Sequence, residues 1–104
     1  MFSLMAAHMA DLIIPVKGIY FDAIRDGTKS HEFRERKPSW AKKLEGKTYR
    51  HVVMLRGYPK GGGDEGVTRL TRAWRGYELR TIQHEHFGPE PVDVFAIDVS
   101  EAAA

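Results

Sequence analysis

The stretch "YFDAIRDGTKSHEFRER", Tyr20 to Arg36, decides how the rest of the chain is read. Its first half sets Tyr20, Ala23 and Ile24 at helical spacing, with Phe21 beside Ile24 and with Asp22 and Arg25 facing out. Gly27 stands where a left-handed residue closes such a helix. The second half alternates like a strand. Lys29, His31, Phe33 and Glu35 point one way, and Ser30, Glu32, Arg34 and Arg36 the other. Neither side is a clean apolar face. A strand that follows a helix and turns hydroxyl, acid and guanidinium to one side reads in two ways. It is the wall of a polar cleft, or it is a sheet edge carrying a Glu32–Arg34 salt bridge.

Working outward, "DLIIPV" (Asp11–Val16) is a short apolar run that suits a buried strand. "KPSWAKKLEG" holds a second short helix, with Ser39 able to cap it, Trp40 and Leu44 on one face, and Gly46 at its end. "TYRHVVMLRGYP" (Thr48–Pro59) is the strongest strand, centred on Val52, Val53, Met54 and Leu55. "KGGGDEG" is a loop. No Lys-Ser/Thr follows its glycines, so it is not a Walker phosphate loop. "VTRLTRAWRGYELRTIQH" supplies one or two strands broken near Gly76, and "HFGPEP" is a loop. "VDVFAIDVS" closes the chain as a strand, with Val92, Val94 and Ala96 opposite Phe95, Ile97 and Val99. The pattern predicts an α+β domain: a small, mixed, mostly antiparallel and partly closed β-barrel of about five strands with two short helices.

At 104 residues the chain is one domain, expected over 10–101. Residues 1–9 and 102–104 read as tails that pack little, with "HM" and "AAA" as cloning scars or Met1 as a natural early start. "MFSLMAAHM" lacks a basic leader and is too short to span a bilayer, so no membrane role is expected. The absence of cysteine excludes a disulfide framework and a thiolate zinc site, and fits a cytoplasmic address. Net charge is only +2, but it is uneven. Arg34 to Arg50 holds seven Lys or Arg against Glu35 and Glu45, and Val67 to Leu79 holds three arginines against Glu78. Such patches neutralise phosphates, or are simply solvated surface.

"IPVKGIYFDAIRDGTKSHEFR" resembles the opening of ASCH (activating signal cointegrator homology) domains, relatives of the PUA RNA-binding domains. The matching positions are Phe21, Ile24, Gly27, Lys29, Ser30, Glu32 and Arg34, with Ser30 where threonine is usual. "LEGK" before a Val-rich strand and "VFAIDVS" are similar to later parts of the family, so the likeness runs from Leu12 to Ser100. "RGYPKGGG", "WRGYELRTI" and "HEHFGPEP" look like a bacterial and phage branch. The resemblance implies a PUA-like fold whose second strand lines a cleft. It also implies one activity. Some small ASCH proteins hydrolyse N4-acetylcytidine with a lysine, a threonine nucleophile and a glutamate. Lys29 matches that lysine; the threonine position is Glu32 here; the family's glutamate lies on a later strand, and Glu78 is the only acid inside the Arg-rich strands of this chain. Ribonuclease activity has also been associated with the family.

The residues themselves leave three functions open. The first is a nucleotide- or RNA-binding domain. Lys29, Ser30, Glu32 and Arg34 would line its cleft, and Arg56, Tyr58, Arg72, Arg75 and Tyr77 would extend the surface. Arginines interleaved with aromatics can hold phosphates while bases stack on the rings. Trp74 is expected in the core and Tyr77 nearer the surface. The second is a small hydrolase on the same cleft, with Lys29 and Glu32 as catalytic candidates. The third is a phage-type accessory protein that docks on a host protein. His84 and His86 share a face at strand spacing and could serve acid–base chemistry, ligate a metal, or only edge a loop. No cofactor and no metal are expected.

Overall fold

The computed structural model describes residues 9–103; the remaining tail positions, 1–8 and 104, lie outside them. Six strands and two helices follow in the order β1 (Leu12–Val16), α1 (Gly18–Arg25), β2 (His31–Glu35), α2 (Pro38–Leu44), β3 (His51–Arg56), β4 (Arg69–Ala73), β5 (Tyr77–Ile82) and β6 (Val92–Asp98). The chain is an α+β fold, as the sequence pattern predicts. The strands number six rather than five, and they form two three-stranded sheets rather than one closed barrel. The first sheet has the order β1-β3-β4, with β1 parallel to β3 and β4 antiparallel. The second has the order β2-β6-β5 and is antiparallel throughout.

The extra strand comes from the break at Gly76. Its φ of +78° is open to glycine without strain, and it separates β4 from β5. The two strands are not a hairpin, because each belongs to a different sheet. The reverse crossing happens after β6. Glu101 accepts a backbone bond from Ala73, and the Ala103 N–H donates to Thr71, so the chain end pairs with β4 in the first sheet. Residues 102 and 103 are thus tied to β4 through the backbone, while the Ala102 side chain stays exposed. This crossing joins the sheets on one side. On the other side β1 and β2 are both edge strands with no ladder between them.

Local chemistry explains the elements. α1 presents Phe21 and Ile24 inward, and Gly27, at φ +84°, ends it while the Thr28 and Lys29 N–H groups cap the Ala23 carbonyl. α2 starts at Pro38, whose missing N–H costs nothing in the first turn; Lys37, not Ser39, is the N-cap residue. Pro15 sits in β1, tolerated because that strand is an edge. One core cluster joins Leu12, Ile14 and Val16 of β1, Phe21 of α1, Leu44 of α2, Met54 of β3 and Phe95 and Ile97 of β6, so both sheets and both helices share a single interior. β6 is buried on both faces, which is why its apolar residues run without interruption from Val94 to Ile97.

Two substitutions on α1 test this packing. Phe21 is fully buried, while Ile19 is 68% exposed. Phe21→Ala is expected to lower unfolding free energy by about 3–5 kcal/mol, and Ile19→Ala to change it by roughly 0.5 kcal/mol or less, in urea titrations. Equal effects would mean the helix docks on a different face.

Candidate functional site

A cavity of about 470 Å³ opens at the unladdered seam between β1 and β2. Five parts of the chain wall it. Pro15, Val16 and Lys17 come from the end of β1, and Tyr20 comes from α1. Lys29, Glu32, Phe33 and Arg34 come from β2 and its approach, and Gly57 and Tyr58 follow β3. His84, His86 and Phe87 complete the wall from the turn after β5.

Glu32 lies at the centre and is the one charged residue buried among the described residues, at 3% exposure. A carboxylate so placed needs partners. Arg34 Nη1 donates to Glu32 Oε2, and Lys29 Nζ stands 3.9 Å from Oε1. Arg34 is itself held firmly: Nη1 also donates to the Phe33 carbonyl at 3.1 Å, and Nη2 to the Pro15 carbonyl at 2.6 Å. That last bond crosses from the second sheet to the first. The Trp40 ring lies 5.2 Å from the same guanidinium.

Lys29 reaches the cavity although strand alternation sets it opposite Glu32. Phe33, on the same side of the alternation as Lys29, also lines the cavity, so both sides of β2 contribute to the wall. The Lys29 ammonium sits 4.0 Å over the Phe33 ring and donates to the His31 carbonyl. Burial pushes its pKa down, and the nearby Arg34 adds to this; Glu32 opposes both by favouring the charged form. The aromatic wall is continuous. Tyr20 meets His84 and His86 edge-on at 5.6 and 5.7 Å, and His86 meets Phe87 at 4.9 Å. His84 Nδ1 accepts from the His86 backbone N–H at 3.1 Å, so a neutral His84 carries its proton on Nε2. The pair sits around a short 3-10 turn rather than on a strand. Burial raises the Tyr20 pKa, helped by the charges of Glu85 and Glu32.

Of the sequence-predicted residues, the structure brings Lys29, Glu32, Arg34 and Tyr58 together. Ser30 is exposed and bonded to His31 Nδ1, outside the cavity lining. Arg56 makes a two-point contact with Asp22, both bonds 3.1 Å. Its guanidinium lies flat on Gly18, where a Cβ would stand 2.8 Å from Cζ. Arg72 reaches the Ile24 carbonyl at 3.4 Å, and its Nε is buried without a partner. Arg75 is taken by Asp98 and Glu101. Tyr77 packs edge-on to Phe95, 5.1 Å between ring centres, against the core rather than toward solvent. Trp74 packs on Tyr49 beside the same core. Glu78 pairs with Arg80 away from the cavity lining. Sequence reasoning passed over Tyr20 and Phe33 as wall residues because each sits at an apolar position of its own element.

Among the described residues, no group of three His, Asp or Glu side chains is arranged to hold a metal, and no helix is long and apolar enough to cross a membrane. Comparison with protein-family models, with curated proteins and with solved structures returns no match to this chain.

The Glu32 cluster makes two checkable claims. Glu32→Gln leaves two cations facing a neutral group, so stability is expected to fall by about 3–5 kcal/mol, by chemical denaturation; a loss below about 1 kcal/mol would mean the carboxylate is solvated. Lys29 is expected to titrate below the other lysines, followed by its side-chain carbon shifts, and lower still in Glu32→Gln. The sign for stability follows. Between the folded pKa and the ordinary lysine value the unfolded chain binds more protons, so this group's contribution rises with pH across that window. Titration together with the other lysines would contradict the burial of the amine.

Proposed function

We propose that this chain is an ASCH-like, PUA-related domain that binds one nucleotide, free or as part of a single-stranded RNA, with its base inside the seam cavity. One observation carries this reading: a buried carboxylate held between two cations faces a cavity walled by Tyr20, Phe33, Tyr58, His84 and Phe87. A heterocyclic base has the matching chemistry. Its flat faces stack on aromatic rings, and its edge mixes N–H donors with carbonyl or ring-nitrogen acceptors. Glu32 accepts from a donor, and Lys29 and the free N–H groups of Arg34 donate to acceptors. The resemblance of Lys29, Glu32 and Arg34 to the family motif supports the same cleft.

Binding is placed ahead of hydrolysis for a chemical reason. The cavity lining holds no Ser, Thr or Cys, and Ser30 stands outside it. A covalent acyl route therefore has no aliphatic hydroxyl or thiol nucleophile at Lys29; the hydroxyls of the lining are the phenols of Tyr20 and Tyr58. Hydrolysis would need an attacking water, with Lys29 or His84 taking its proton.

Titration of nucleoside monophosphates, followed by tyrosine and tryptophan fluorescence, tests the reading. Saturable binding is expected. Tyr20→Ala and Phe33→Ala should each weaken it by about 1–3 kcal/mol, roughly fivefold to 150-fold. Incubation with N4-acetylcytidine is expected to give binding without turnover. No saturation by any nucleotide at low salt would remove the reading, and turnover lost in Lys29→Ala would replace it with the hydrolase.

A further inference from the structure

The cation-rich run after β2 finds no use inside the cavity, and most of its cations are left unpaired, unlike the arginines paired elsewhere in the chain. Arg50 is paired with Asp11, Arg56 with Asp22, Arg75 with Asp98 and Glu101, and Arg80 with Glu78. Among the described residues, Arg36, Lys42, Lys43 and Lys47 are exposed and make no ion pair, while Lys37 of the same run pairs with Glu35; Lys17 and Lys60 are also exposed without an ion pair, but they stand singly. Glu45 is the one acid between Lys42 and Lys47, so the run keeps a net positive charge that suits an anionic partner.

The strip is tied to the cavity through two contacts. Arg34 lines the cavity and holds its guanidinium 5.2 Å from the Trp40 ring, and Lys43 Nζ lies 4.6 Å from that same ring. Base-sized hollow, Arg34, Trp40 and α2 lysines are thus successive neighbours. We propose that α2 and its flanks, through Lys42, Lys43 and Lys47, form the phosphate track of a single-stranded nucleic acid whose base occupies the cavity. This rests on the base-binding reading and adds to it a direction: the strand leaves along α2, not along the arginines of β4 and β5. Those arginines are engaged with Asp98, Glu101, Glu78 and the Ile24 carbonyl.

A lipid surface fits α2 less well. Its apolar side chains, Trp40, Ala41 and Leu44, pack on the core, so no apolar wedge is left to enter a bilayer. An acidic protein would match the charge but gives no role to the adjoining aromatic cavity.

The test compares a mononucleotide with a single-stranded RNA of roughly eight nucleotides, within the usual span of one small domain. Both are measured on the full chain and on the Lys42→Ala, Lys43→Ala, Lys47→Ala triple variant, across a salt series. For the RNA, affinity at low salt should drop by about tenfold or more, and the log–log salt slope should shrink by about 2, near 0.7 for each phosphate that is no longer neutralised. Mononucleotide affinity should stay within about twofold, because none of the three side chains lines the cavity. The double variant Lys42→Ala, Lys47→Ala leaves the Lys43–Trp40 contact in place and should lose about 1.4 of slope. Unchanged RNA affinity in both variants overturns the track. So does loss of binding to phosphatidylserine vesicles with RNA binding intact. If RNA binding falls as expected but no mononucleotide binds or competes, the track stands and the base cavity falls.

Discussion

Arg34 is the side chain on which the arrangement turns. Its guanidinium bonds the buried Glu32 within the second sheet and the Pro15 carbonyl of the first. The two sheets meet there without a backbone ladder. A closed barrel would satisfy both edges with main-chain bonds. Here one planar, permanently charged group with several donors joins them instead, which lysine could not reproduce. The burial of Glu32 follows: a carboxylate at 3% exposure is tolerable because Arg34 and Lys29 are fixed beside it. Because the join is a side chain and not a strand pair, room remains beside it, and that room is the cavity.

The distribution of charge follows the same logic. Arginines at 56 and 75 fasten distant parts of the chain together, Arg56 to Asp22 on α1 and Arg75 to Asp98 at the end of β6. Such exposed pairs add little stability singly, but they remove those cations from the surface available to a ligand. Among the described residues, the exposed cations without an ion pair are Lys17, Arg36, Lys42, Lys43, Lys47 and Lys60, four of them between β2 and β3. The cavity supplies shape and a polar centre, and the aromatic residues of α1, β2 and the turn after β5 supply flat walls.

Much of this was legible in the sequence because it depends on short-range rules. Period two placed Glu32 and Arg34 on one face, and Gly27 marked the end of α1 through its positive φ. Other parts were not legible, for identifiable reasons. Alternation grouped Lys29 with Phe33, and the ammonium does sit over that ring, but it did not show that both sides of β2 line the cavity while Ser30 stays outside. The partners of Arg56 and Arg75 lie 34 and 23 residues away, and no local pattern announces them. Gly76 looked like a simple break, but whether two strands pair or part to different sheets is decided by long-range packing. His84 and His86 were visible as a pair. Their contact with Tyr20 depends on a turn that returns from β5 to α1.

The most direct measurement is a nuclear magnetic resonance titration of the protein with a nucleoside monophosphate, following the ring protons and the Glu32 and Arg34 side chains. The account calls for saturable shifts confined to Tyr20, Phe33, Tyr58, His84 and the Arg34 guanidinium. Shifts gathered on Arg72, Arg75 and Tyr77 instead, with the Glu32 surroundings unmoved, would contradict it.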